Sequence, residues 1–326
     1  MTLSFPSKYL EQLKIAVNKA QKILVLGHVN PDGDCYGSIL GWHQYLKSIN
    51  KNHDLFSAGR SDVAFDFLPG YFEIKNQPEA LADDYDLVII NDLNDFDRTG
   101  VVEFFIQHPN LKKVQVDHHN GKVLPVDLAF NQEDCAATCQ VLYFLWKDLK
   151  VNINKDMAQA LLTGIISDTN NYQTSAVTAE TFEASAALQD LGADPVFIGR
   201  QIHRLPLEKL RFFGEILEKH LVLKPIEKLI VAVIPFDLWD KYDLPISDLD
   251  LLYSWLLGVQ GYEHVLALKE QAIGEIRVSW RSKGAAEMNR LSAIFGGGGH
   301  AQAASFTLRN HKIMVDADGN YRLKAI

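Results

Sequence analysis

The chain has 326 residues, 47% of them hydrophobic, which is enough for about two cored domains. Its net charge of −9 argues against gripping long nucleic acid by the phosphates, but not against a small phosphorylated substrate held by metal ions and local arginines. No apolar run approaches the roughly 18–20 residues of a membrane span, the N-terminus lacks a signal-peptide pattern, and three cysteines without a Cys-x-x-Cys pair make no disulfide framework, so a cytoplasmic enzyme is expected.

In chain order, Leu10, Leu13 and Val17 recur at helical spacing and predict an amphipathic helix over residues 7–21. Ile23-Leu24-Val25-Leu26 then reads as a short buried strand. The stretch from Gly27 to Ser38 contains Asn-Pro and Asp-Gly, which favour turns and stop the strand. It places His28, Asp32 and Asp34 on a strand-to-helix crossover, the edge at which ligands bind an open α/β sheet. One imidazole with hard oxygens suits Mn²⁺ or Mg²⁺ better than structural zinc. An Asx-rich turn whose aspartates cap the next helix explains this stretch alone equally well.

A helix is predicted over residues 38–48 and a short strand around Asp54-Leu55-Phe56. Asp86 to Asp92 forms a clearer buried strand, followed by Asn94, Asp95, Asp97 and Arg98. Lys113 to Asp117 repeats the pattern and runs into His118-His119-Asn120-Gly121. Three strands thus end on polar residues able to bind metal, as the site of a parallel α/β sheet requires. Helices are predicted over residues 134–149 and after the cap Asn154; the latter ends near Asp168. Thr178 is expected to cap a further helix that Gly192 terminates. Cys135 and Cys139, four apart and so on one helical face, read as small buried thiols rather than a ligand pair.

The charged segment 200–225 reads as a helical connector between a domain over residues 1–199 and a smaller one over 226–326. In the second domain, Glu275 to Arg281 alternates with period two: Ile276, Val278 and Trp280 on one face, Arg277, Ser279 and Arg281 on the other. The second face can offer charge-assisted donors to a phosphate, or simply face solvent. Four glycines, Gly296 to Gly299, precede His300 and make sense where backbone N–H groups approach a ligand. No Lys-Ser/Thr follows them, so a P-loop is not supported.

These motifs, in this order, resemble the DHH phosphoesterase superfamily over nearly the whole chain. The first motif is His28-x-x-x-Asp32-x-Asp34 with Gly37-Ser38, the second Asp92, the third Asp117-His118-His119 and the fourth Asp168. Ser279-Trp280-Arg281-Ser282 and the glycine run with His300 resemble the associated DHHA1 substrate domain. Tyr172 and Ala301-Gln302-Ala303 depart from the family's usual residues, Phe and Pro-x-Ala.

The resemblance implies an α/β protein: a parallel-sheet domain with helices on both faces, a smaller α/β domain, and a site in the cleft between them. His28 and Asp32 would hold one divalent ion, Asp34, His118 and Asp168 a second, and Asp92 would bridge them; Mn²⁺ is expected before Mg²⁺ or Co²⁺. Two such ions activate a water for attack on phosphorus. His119 would face the phosphate, and Asp117 would fix the loop or orient an imidazole. Arg281, Ser279 and His300, with Gly297, Gly298 and Gly299, would hold the far end of the substrate. Arg98 is either a phosphate contact or the partner of Asp95 or Asp97. The implied activity is hydrolysis of short oligonucleotides, and of pAp to AMP, without long nucleic acid or membrane as partner and with a homodimer left open. A cyclic-dinucleotide phosphodiesterase, a pyrophosphatase or polyphosphatase, and a non-catalytic nucleotide-binding protein are the alternatives.

Overall fold

Residues 3–59, 65–121, 123–202, 204–244, 249–284, 286–299, 302–315 and 321–326 are described by a computed structural model. The chain divides into two units, Met1–Arg204 and Leu205–Ile326.

The first unit runs α1 (Ser7–Lys19), β1 (Ile23–Leu26), α2 (Gly33–Ser48), β2 (His53–Phe56), β3 (Ile74–Lys75), β4 (Leu87–Asn91), α3 (Val102–Gln107), β5 (Lys112–Asp117) and β6 (Leu128–Asn131). Four helices follow: α4 (Thr138–Asp148), α5 (Lys155–Asp168), α6 (Ala179–Asp190) and α7 (Pro195–Ile202). The strands form one parallel sheet in the order β3-β2-β1-β4-β5-β6. The chain builds one half outward from β1, then returns to β1's other side with β4. The crevice at the ends of β1 and β4 is therefore the switch point at which an open sheet binds ligands.

Both faces of the sheet are covered, which is why its strands read as unbroken apolar runs. Ile23, Val25, Leu87 and Ile89 enter one core with residues of α1, α2, α4 and α5. Leu24, Leu26, Val88 and Ile90 enter the other with Val101, Phe105 and Leu111 around α3.

The helix expected from Ser38 starts earlier, at Gly33, because Asp32 caps it with its side chain. α2 and α5 cross closely on small residues. A Cβ on Gly33 would lie 2.4 Å from the Ser167 side chain, and one on Gly37 would lie 2.5 Å from the Ala160 carbonyl and 3.1 Å from Gly164 N. Gly33 thus meets the end of α5 while Gly37 meets its middle, so the helices run antiparallel. That brings Asp34, in the first turn of α2, to Asp168, in the last turn of α5. Asn154 caps α5 and Thr178 caps α6, as the sequence predicts.

The second unit runs α8 (Leu207–Lys219), β7 (Leu221–Lys224), β8 (Leu229–Ile234), α9 (Phe236–Lys241), α10 (Asp250–Leu257), β9 (His264–Ala272), β10 (Glu275–Ser282), α11 (Met288–Ile294), β11 (Gly298–Gly299) and β12 (Ala303–Arg309). A ribbon of β13 (His311–Val315) and β14 (Tyr321–Ala325) completes it. Its main sheet is mixed, ordered β11-β12-β10-β9-β8-β7, with β8 and β9 the parallel pair. The charged segment 200–225 contains α8, whose Phe212, Phe213 and Ile216 lie in the second unit's core. Its charges are the wet side of a packed helix.

Candidate metal centre

The site grows from the ends of β1, β4 and β5. Just past β1, His28 Nδ1 lies 2.8 Å from the Val29 carbonyl oxygen, and its Nε2 lies 3.3 Å from Asp92 Oδ2. Asp92, the residue after β4, has a left-handed φ of 60°, a conformation that Asx residues tolerate and that clusters at functional sites. It is buried, and its Oδ1 lies 3.7 Å from both His118 Nε2 and His119 Nδ1. His118 Nδ1 is 3.2 Å from the Cys135 carbonyl oxygen, and its Nε2 is 3.5 Å from Asp168 Oδ2.

Asp34 is fully buried. Its Oδ2 accepts the Thr138 N–H at 2.6 Å and its Oδ1 the Cys139 N–H at 2.9 Å, so the N-terminus of α4 is aimed at this carboxylate. Thr138 Oγ1 donates to Asp92 Oδ1 at 3.1 Å. Sequence reading missed Thr138, because nothing local marks a threonine that begins a buried helix.

Among the described residues, three groups each bring one ligand atom per residue within 4.8 Å of one another: Asp34 with His118 and Asp168, Asp92 with His118 and His119, and His28 with Cys35 and Asp92. Asp92 belongs to two of them. Cys35, to which the sequence reading gave no role, therefore borders the centre. Burial first, then His28's moderating charge and the Asp92 and Asp32 carboxylates, leave its thiol pushed up to about 12. Asp32 is the most exposed of the four candidate ligand aspartates, Asp32, Asp34, Asp92 and Asp168. Its Oδ1 accepts the Asp34 and Cys35 N–H groups at 3.0 Å each, so the capping alternative holds for this residue, and the same oxygen lies 3.8 Å from His28 Nε2.

The carboxylates repel one another. Burial, then the charge of Asp92, pushes Asp34 up to about 7; burial, then Asp34, Asp32 and Asp92, raises Asp168 well above the usual carboxylate range. A crowded set of hard oxygens and imidazoles with excess negative charge fits divalent cations.

His119 Nδ1 is 2.8 Å from Asp117 Oδ1, while Gln115 Nε2 donates to Asp117 Oδ2 at 3.2 Å and to the Leu93 carbonyl at 3.0 Å. Burial lowers the His119 pKa, but Asp117's hydrogen bond and Asp92's charge outweigh it and hold the imidazole above its ordinary value. Arg98 makes no ion pair with Asp95 or Asp97 among the described residues. Its charge is felt at His119 instead, where it acts to lower the pKa.

In the second unit, Arg277, Ser279 and Arg281 pair across the ladder with Lys269, Ala267 and Val265, and so share the face that the core uses. That face is not simply open. Ser279 is buried, and the Arg281 guanidinium sits 4.8 Å from the centre of the Tyr253 ring. The glycine run is needed for close approach, because a Cβ on Gly297 would lie 2.2 Å from the Ser305 carbonyl. Gly297 N–H is not the ligand donor expected; it donates to the Ser292 carbonyl at 2.8 Å and closes α11. Gly298 and Gly299 pair with β12, and His300 lies outside the described residues.

Residues 22–165 match the family model described as DHH family, N-terminal domain. The bifunctional oligoribonuclease and PAP phosphatase NrnA of Thermus thermophilus is 27% identical over 319 residues, covering 96% of this chain and 92% of that protein. The crystal structure of an exopolyphosphatase-related protein from Bacteroides fragilis superposes with a TM-score of 0.87 at 22% identity, covering 94% of this chain and 92% of that one. RecJ of Thermus thermophilus in complex with Mn²⁺ superposes with a TM-score of 0.53 at 15% identity, covering 94% of this chain and 53% of that one. The first unit thus resembles a DHH-family N-terminal domain over residues 22–165.

Proposed function

We propose that this chain is a metal-dependent phosphoesterase that hydrolyses short oligonucleotides and linear dinucleotides to mononucleotides and converts pAp to AMP in the cytoplasm. The observation that carries the reading is the convergence of His28, Asp34, Asp92, His118 and Asp168 at the switch point of a parallel sheet, with Asp92 shared between donor groups. The similarity to an oligoribonuclease and PAP phosphatase over nearly the full length of both chains supports the substrate class.

His28 and Asp32 would hold one ion, Asp34, His118 and Asp168 the other, with Asp92 common to both and Mn²⁺ the preferred metal. When bound, two such ions polarise a phosphoryl group and lower the pKa of water. The protein's own contribution is positioning. Thr138 fixes the rotamers of Asp34 and Asp92, and Gln115 fixes Asp117, which in turn orients His119. A His119 imidazolium favoured by Asp117 and Asp92 can donate a proton to the departing ribose oxygen. Arg281 and Ser279 would hold the rest of the nucleotide, with Arg98 a further phosphate contact.

The deciding experiment is a substrate panel in Mn²⁺, comparing kcat/KM on pAp, linear dinucleotides, trinucleotides, cyclic dinucleotides and pyrophosphate. Linear short oligonucleotides and pAp should lead. A preference for pyrophosphate, or cleavage of bis-p-nitrophenyl phosphate alone, overturns the reading.

A further inference from the structure

The last turn of α5 carries Asp168, and the helix stops there in a tight reversal. The Asn170 N–H donates to the Ser167 carbonyl at 3.0 Å and the Asn171 N–H to the Ile166 carbonyl at 2.8 Å, the paired bonds of a Schellman cap. Thr169 Oγ1 donates to the Ile165 carbonyl at 2.6 Å and accepts the Tyr172 N–H at 3.0 Å. Three successive residues are left-handed: Asn170 (φ 46°), Asn171 (φ 58°) and Tyr172 (φ 63°). The cap itself needs only one such residue, and asparagine tolerates the region. Tyr172 has no such tolerance. For a bulky side chain this conformation is strained, and it persists only where the surroundings impose it.

Those surroundings lie on α6. The Tyr172 ring packs against the core of the first unit and stacks on Phe182, with ring centres 5.2 Å apart and planes 22° from parallel. Its hydroxyl hydrogen-bonds with Ser185. Ser185 is buried and spends its own proton on the Thr181 carbonyl at 2.8 Å, so Tyr172 is the donor. Thr181, also buried, donates from Oγ1 to Gln140 Oε1 at 3.0 Å, and the same oxygen accepts the Ala136 N–H at 3.0 Å. Just beyond Ala136, the Thr138 and Cys139 N–H groups hold Asp34. A chain of hydrogen bonds thus runs from the turn after Asp168, through α6, to the start of α4. Asp34 and Asp168 belong to one ligand group with His118, yet their like charges repel. The packing of α2 on α5 fixes where α5 lies; the chain through α6 fixes how it ends.

We propose that Tyr172 is a positioning residue for the Asp34, His118 and Asp168 ligand group. Its ring on Phe182 and its hydroxyl on Ser185 impose the left-handed turn, and the turn sets how Asp168 leaves α5. The inference rests on the metal-dependent reading above and concerns the affinity for one of the bound ions, not the substrate.

The test titrates metal-free, full-length protein with Mn²⁺, followed by EPR, and records the Tm of each metal-free variant. The variants are Tyr172→Ala, Tyr172→Gly, Tyr172→Phe, Ser185→Ala and the double variant of the last two. Tyr172→Ala should raise the dissociation constant of one ion by about tenfold or more, the scale for groups that orient metal ligands. Tyr172→Gly removes the φ penalty but also the stack, and should bind no better than the alanine variant. Tyr172→Phe keeps the stack and should lose only about threefold, as should Ser185→Ala, the scale of one hydrogen bond. The double variant should lose no more than either single one, because both substitutions break the same bond. Wild-type affinity in Tyr172→Gly would overturn the proposal, since the turn would then need only a permissive backbone. So would a lowered Tm with unchanged Mn²⁺ affinity throughout, the mark of a purely structural tyrosine. If Tyr172→Ala and Tyr172→Gly fail to fold, the Tyr172→Phe and Ser185→Ala affinities decide alone. Wild-type protein that binds no Mn²⁺ overturns the metal-centre reading and this proposal with it; equal affinity in wild type and every variant overturns this proposal only.

Discussion

The hydroxyl of Thr138 donates to Asp92 Oδ1 at 3.1 Å, joining the first turn of α4 to the residue that follows β4. The N–H of the same threonine donates to Asp34. One residue therefore holds two carboxylates that burial and mutual repulsion would drive apart. Thr138→Val keeps the size and the N–H but removes the hydroxyl. We expect the dissociation constant for Mn²⁺ to rise roughly tenfold or more, as for other groups that orient metal ligands. Calorimetric or EPR titration checks this, and an unchanged affinity would remove Thr138 from the centre.

Gly164 on α5 faces the same carboxylate from the other side. A Cβ there would lie 2.2 Å from Cys139 Sγ and 2.6 Å from Asp34 Oδ1. Neither neighbour can yield easily, because Asp34 is held by two N–H groups and Cys139 is buried in the core. Gly164→Ala should cost about 1–3 kcal/mol by overpacking. It should also weaken metal binding, since the shift falls on Asp34. Urea unfolding of the metal-free protein reads the first effect and metal titration the second. A midpoint equal to wild type would mean that α2 and α5 separate without cost.

Why Thr138 and Gly164 escape sequence reading, while His28, Asp92 and Asp117-His118-His119 do not, has a physical basis. The latter follow apolar runs buried on both faces, so the end of each strand is marked by the switch from apolar to polar residues. The former acquire their roles from helix packing between segments far apart in sequence, and a Thr or Gly within a helix carries no local mark of what it will meet. The β10 alternation was legible as period two. Which face the helices would cover was not, because Val265 and Ala267 on the neighbouring strand decide it. The glycine run was legible as a close approach, and β12 is the backbone that it approaches.

A second histidine pair lies along α2, away from the centre. His43 Nδ1 is 2.9 Å from His53 Nε2, and Glu73 and Lys47 are the other charges facing His43. Burial lowers the His43 pKa below its ordinary value; Glu73 opposes this, and His53 and Lys47 add to it. A lowered folded-state pKa means that the unfolded chain binds the proton more readily. Stability is therefore full above the ordinary histidine value near 6.5 and falls as pH drops below it. His43→Gln should flatten the change in Tm between about pH 7 and 5. An identical acid slope in the variant would assign the effect elsewhere.

Asp92 gives the sharpest test of a shared carboxylate, because asparagine tolerates its left-handed φ of 60° and can still accept from Thr138. Asp92→Asn thus changes charge while leaving shape and the main hydrogen bond in place. Turnover should fall by about a thousandfold or more, the scale on which removal of a single transition-state stabiliser is felt. Bound metal should drop below the wild-type stoichiometry, because a carboxylate common to two donor groups serves both. The metal-free variant should be at least as stable as wild type, since Asp92's charge helps to hold Asp34 up at about 7 and removing it relieves that repulsion. This separates a metal role from a structural one: a structural Asp92 would lower the metal-free Tm along with activity. Full metal stoichiometry and near-normal turnover in Asp92→Asn would show that the carboxylate is not shared.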